Sequence, residues 1–154
     1  MADDALMLLA KDVRGKTLRI LDGITEEQAV FSPPGLQNTI LWHAGHALVV
    51  VEHLALLPAT GQPAQYPQGW FDKFSWKSEP AKVKEWPKLG EVKAELSRQL
   101  ERLLHAIESA TEGQLKAPCG DPARGRHLRW SIIHGLHDEA NHQGEMWLLK
   151  KLQR

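Results

Sequence analysis

Residues 38–57 read NTILWHAGHALVVVEHLALL, and this run decides the fold class. Asn38 and Thr39 are both good helix N-caps, because a short polar side chain there accepts a hydrogen bond from one of the first free backbone amides. From that start to Leu57, just ahead of Pro58, the single formal charge is Glu52. On a wheel of about 100° per residue, Trp42, His46, Val49, Val50, His53 and Leu57 fall within about 60° of one direction. The rest of the circumference is nearly as apolar. A helix of that kind is enclosed by other helices rather than laid on a surface, so the neighbouring segments must supply the enclosure.

They do. Upstream, Leu6, Leu9, Val13 and Ile20, with Thr17 between, mark one face of an amphipathic helix over residues 3–22, which Gly23 ends. Thr25 and Gln28 form a capping-box pair for a short helical turn before Ser32, Pro33, Pro34 and Gly35 break the chain. Downstream, Leu89, Val92, Leu96, Leu100, Leu103 and Ile107 stripe a helix over 88 to about 111, with Pro87 as its first residue. A last helix runs from about His127 to Leu152, and residues 113–126, rich in Gly and Pro, form a loop. No strand alternation and no internal repeat occur. The reading is all-α, a four-helix bundle with helices of roughly 20–25 residues. Between the second and third helices, residues 60–87 hold Tyr66, Trp70, Phe71, Phe74, Trp76 and Trp86 among prolines, too aromatic for disorder, and so pack as a crossover or lid over one end.

The 154 residues carry 19 Lys+Arg against 19 Asp+Glu. They make one domain, residues 1–154, able to bury roughly 70% of the surface its unfolded chain exposes. Zero net charge gives no basic footprint for nucleic acid and no polybasic membrane anchor. Asp3 and Asp4 stand where a signal peptide needs positive charge, and no apolar run is expected to reach the roughly 20 residues of a membrane span. One cysteine, Cys119, excludes an intrachain disulfide and a Cys-based zinc site and fits a reducing cytoplasm; it reads as inert.

Histidine is the unusual component, eight in all. Six fall in two windows: His43, His46, His53 and His134, His137, His142. His46 lies on the core stripe of the second helix, where an unpaired ring nitrogen costs about 1–3 kcal/mol, so it needs a partner. The last helix offers His134, Asp138 and His142 at i, i+4, i+8, stacked on one face. His46, Asp138 and His142 together make a three-ligand set of two imidazoles and a carboxylate, which leaves a coordination position open as catalytic sites do. Such donors suit Zn, Ni, Fe or Mn. The same helix-four strip also fits the solvent face of an amphipathic helix, with Ile133, Leu136, Ala140 and Trp147 opposite it. His53 is too far along the axis to share the ion, and His43 and His137 are read as surface or supporting residues.

With Trp42-His43-Ala44-Gly45-His46 on helix two and His134 through Asn141-His142-Gln143-Gly144-Glu145 on helix four, the sequence resembles the DinB-like (damage-inducible) superfamily over nearly its whole length. The resemblance implies an up-down-down-up four-helix bundle that binds a divalent metal through a helix-two His and two helix-four His residues. His46 and His142 match two of these; Asp138 stands at the third, and Glu145 stands where the family often carries Gln. The resemblance further implies a transferase or isomerase working with a small thiol cosubstrate and a small-molecule substrate, with Zn or Ni foremost. Glu145 and His134 would then orient a ligand or move a proton. A metal-activated hydrolase and a non-catalytic, dimerising bundle are the other readings, and a homodimer is expected in either case.

Overall fold

The computed structural model describes residues 2–154, and among these the secondary structure is helical throughout, apart from one isolated bridge between Pro118 and His127. Four long helices carry the fold: α1 (Asp4–Leu21), α2 (Ile40–Thr60), α3 (Leu89–Ser109) and α4 (Leu128–Lys151). Each starts on a local signal. The Asp3 carboxylate accepts from Leu6 N, Thr39 Oγ1 from Trp42 N, the Glu91 carboxylate from Lys88 N, and the His127 ring from Trp130 N. The Thr25/Gln28 capping box forms as the sequence indicates, at the head of Glu26–Ala29.

Three boundaries differ from the sequence reading. Pro87 is not the first residue of α3; Lys88 is its N-cap and Leu89 its first residue. Residues 113–126 are not all loop, since a Thr111/Gln114 capping box starts a short helix, Glu112–Lys116. Finally, α2 does not stop at Leu57 but continues to Thr60 through a π turn, Glu52–Leu56, closed by Gly61 in the left-handed region. Pro58 explains that turn. Its ring would crowd the carbonyl four residues back, on Leu54, and it has no N–H to offer. The freed Leu54 carbonyl accepts instead from Ser131 Oγ of α4.

α2 also corrects the expectation about apolar runs. Ile40–Thr60 is long and apolar enough to cross a membrane, yet 83% of its apolar window is buried inside the protein. Every residue from Ile40 to Val51 is buried. Both α1 and α2 pack against α3 and α4. One apolar cluster joins the end of α1 (Ile20, Leu21), the start of α2 (Ile40, Leu41, Leu48), the start of α3 (Leu89, Val92, Leu96) and the end of α4 (Met146, Leu149). A second joins the opposite ends: Leu6, Ala10 and Val13; Ala55 and Leu56; Leu103 and Ile107; Leu128, Ile132 and Leu136.

Between the clusters lies a polar layer that sequence reading did not anticipate. Arg14 of α1, 1% exposed, forms a bidentate pair with Glu139 of α4 (Nε to Oε1 2.8 Å, Nη2 to Oε2 2.9 Å). It also donates to the Leu96 carbonyl and to Gln99 Oε1 of α3, each at 2.8 Å. Thr17 donates to Glu139 at 2.6 Å, and Gln143 donates to Thr17 and to the Val13 carbonyl. Gln99 passes the chain on to Glu52 of α2, which Arg102 holds from the outer side. Each charge is paired and its hydrogen bonds are met, which burial of ions requires.

This layer overturns the wheel drawn for α4. Ile133, Ala140 and Trp147 are exposed rather than opposite the polar strip in the core, and only Leu136 of that group is buried. The buried face of α4 runs through Ile132, Leu136, Glu139, Gln143, Met146 and Leu149, and two of its members are polar because α1 provides their partners.

Candidate metal centre

The centre sits on the α2–α4 edge at the level of the polar layer. His46 comes from α2, and Asp138 and His142 lie one turn apart on α4 beside the anchored Glu139 and Gln143. One donor atom from each of the three lies within 4.8 Å of the others. Asp138 Oδ2 is 3.7 Å from His46 Nε2 and 3.5 Å from His142 Nε2. These separations are too long for good hydrogen bonds. They do match the roughly 3.4 Å that two donors about 2.1 Å from one tetrahedral ion must keep between them.

Asp138 Oδ2 is itself the diagnostic atom: it is buried and has no hydrogen-bond partner. A carboxylate oxygen left that way is costly unless a cation meets it. The nearest imidazole of α2 does not, because burial holds His46 below the ordinary histidine range, against the opposing pull of the Phe74 carbonyl and Asp138. His46 is therefore neutral at pH 7 and no ion-pair partner for Asp138. The donor set of two imidazoles and a carboxylate around an orphaned oxygen fits a divalent transition ion.

Two contacts aim His46. Its Nδ1 donates to the Phe74 carbonyl at 2.6 Å, which leaves Nε2 as a lone pair facing Asp138. Trp42 stacks on the ring at 4.5 Å and 16°, and its own Nε1 donates to Ser78 Oγ at 3.0 Å. Gly45 makes the first contact possible, since a Cβ there would stand 2.3 Å from the Phe74 ring. The aromatic crossover thus reaches the centre through Phe74 and Ser78. The short helix Trp70–Phe74 buries Trp70 and Phe74 against α2, while Trp76 remains exposed.

His43, read from sequence as surface or supporting, is buried at 4% exposure with Nδ1 2.8 Å from His142 Nδ1. Its pKa is pushed down to about 3, first by burial and then by His142 and His46. The signal was present in the sequence as the i, i+3 spacing of His43 and His46, which puts both near one helix face. His53 serves elsewhere, bonding Tyr66 OH at 2.8 Å among Phe71 and Trp76. His134 is exposed, stacked on Trp130 at 4.5 Å, and Glu145 is exposed; the three-donor cluster forms without either. Cys119 lines a cavity of about 680 Å³ with Leu56, His105 and Leu128, at the end of the protein where the second apolar cluster lies. None of the three donors lines that cavity, so its size does not move the centre.

A family model described as the DinB superfamily matches residues 9–146. Comparison with curated proteins finds no match.

Proposed function

The chain belongs to the DinB superfamily, and from that premise we propose that it is a divalent-metal-dependent enzyme joining a small thiol to an electrophilic substrate. The observation that carries the reading is the buried, unpartnered Asp138 Oδ2 between two imidazole nitrogens. In this reading His46 Nε2, Asp138 and His142 Nε2 hold zinc or nickel. A divalent ion there lowers the pKa of a bound thiol or water, so that it is nucleophilic at neutral pH.

The chain's own residues do the rest. Trp42 and the Phe74 carbonyl fix the His46 ring, while Glu139 and Gln143, locked to α1, fix the helix that carries Asp138 and His142. Glu145 and His134 lie on that helix about a turn beyond either ligand and face solvent, where they orient the incoming ligand or take the thiol proton. The thiol sulfur forms a bond to the electrophilic carbon, and the leaving group departs with its electron pair. The scaffold in this proposal is a four-helix bundle running up, down, down, up. The split of the two apolar clusters supports it, with the starts of α2 and α3 sharing one cluster with the ends of α1 and α4.

The test is turnover of an activated aryl electrophile by zinc- or nickel-loaded protein with a panel of small thiols. Turnover should require both thiol and metal and should fall at least about a hundredfold in His46→Ala, as expected when a ligand of the activating ion is lost. Metal-dependent turnover without thiol would instead indicate a hydrolase. Turnover equal in metal-free protein would contradict the proposal.

A further inference from the structure

His43 has a specific geometry and no part in the chemistry proposed above. We propose that it is the positioning residue of the centre: its Nδ1 accepts the Nδ1–H of His142, leaving the Nε2 lone pair of His142 free for a divalent ion. This inference rests on the metal-dependent reading.

The argument is one of proton counting. A neutral imidazole has one N–H and one lone pair. Nitrogens 2.8 Å apart need one proton between them, because two lone pairs repel and two N–H groups collide. If His43 supplied that proton, His142 would carry its own on Nε2, the atom 3.5 Å from Asp138 Oδ2, and would have no lone pair there. A ligating Nε2 therefore places the proton on His142 Nδ1 and makes His43 the acceptor, with its own proton on Nε2. His46 reaches the same tautomer by another route, since the Phe74 carbonyl can only accept. The two ligand imidazoles are thus set by two different acceptors, one a backbone carbonyl and one a second histidine. Trp42 holds the His43 ring edge-on at 5.3 Å and 81°. His43 itself is buried at 4% exposure, so little water competes for its Nδ1. Partners of this kind also raise ligand basicity, and losing one lowers metal affinity about 10–100-fold.

The experiment is a zinc titration against a competing chelator for the parent, His43→Ala and His43→Asn, joined to long-range ¹H–¹⁵N spectra of the zinc-loaded parent. The parent should bind one zinc, His43→Ala should bind about 10–100-fold more weakly, and His43→Asn, whose Oδ1 can accept in place of Nδ1, should recover most of the loss. The spectrum should place a proton on His142 Nδ1, coupled across the hydrogen bond to His43 Nδ1. A purely structural His43 would move neither the tautomer nor the Asn rescue. Parent-like zinc affinity in His43→Ala, or a proton on His43 Nδ1 in the loaded parent, overturns the positioning role and leaves the metal reading intact. A parent that binds no zinc overturns both. Should His43→Ala fail to fold, the parent spectrum and His43→Asn decide the matter.

Discussion

Asp138 concentrates the physics of the centre in one oxygen atom. Its Oδ2 is buried without a partner between imidazoles at 3.5 and 3.7 Å, so the lost hydration of that oxygen is uncompensated until a cation binds. Asp138→Asn removes the charge and keeps the shape. The metal-free variant should therefore melt no lower than the metal-free parent, gaining about 1 kcal/mol, while its stabilisation by added zinc disappears. Thermal unfolding with and without chelator reads both effects, and a metal-free variant less stable than the parent would show that the carboxylate is already compensated. That Asp138 and His142 share a face was legible because i, i+4 spacing on a helix dictates it, and His46 stood out on the core stripe of α2; the structure brings the three together. The contact between His43 and His142 was not, because it depends on how closely α2 and α4 approach.

At the scale of the element, α2 connects the core to the centre through the contact between Gly45 and Phe74. Gly45→Ala would put a methyl group 2.3 Å from the Phe74 ring, forcing Trp70–Phe74 away from α2 and its carbonyl away from His46 Nδ1. Such overpacking should cost about 1–3 kcal/mol in urea unfolding, with a weakened zinc affinity measured in the same protein. Stability loss with unchanged affinity would detach the crossover from the centre. The four long helices were readable from period and caps. The helix Glu112–Lys116 was missed despite its Thr111/Gln114 capping box, because glycine and proline nearby outweighed a five-residue signal. The passage of α2 through Pro58 was missed as well, since the group that relieves its cost, Ser131 Oγ, lies 77 residues from Leu54.

Across the whole molecule, two apolar clusters are divided by a charged layer that ties all four helices together. Arg14 and Glu139 are 125 residues apart in sequence. No local pattern announces their pairing, and the sequence reading assigned Glu139 no role. Glu139→Leu leaves the Arg14 guanidinium buried without its carboxylate and should cost about 3–5 kcal/mol. Adding Arg14→Met should restore much of that loss, because the remaining core then holds no unpaired charge. Urea denaturation of the two single variants and the double variant measures this coupling; additive losses would mean that the pair does not act as a unit.

This layer lies beside the histidines and anchors α4 to α1 where Asp138 and His142 face His46. The most direct test of that account is zinc stoichiometry by equilibrium dialysis and elemental analysis, for the parent and for His46→Ala, Asp138→Asn and His142→Ala. The account predicts one zinc per chain in the parent and a marked loss in each variant, with folding retained. No saturable zinc in the parent, or one zinc per chain undiminished in all three variants, would contradict it.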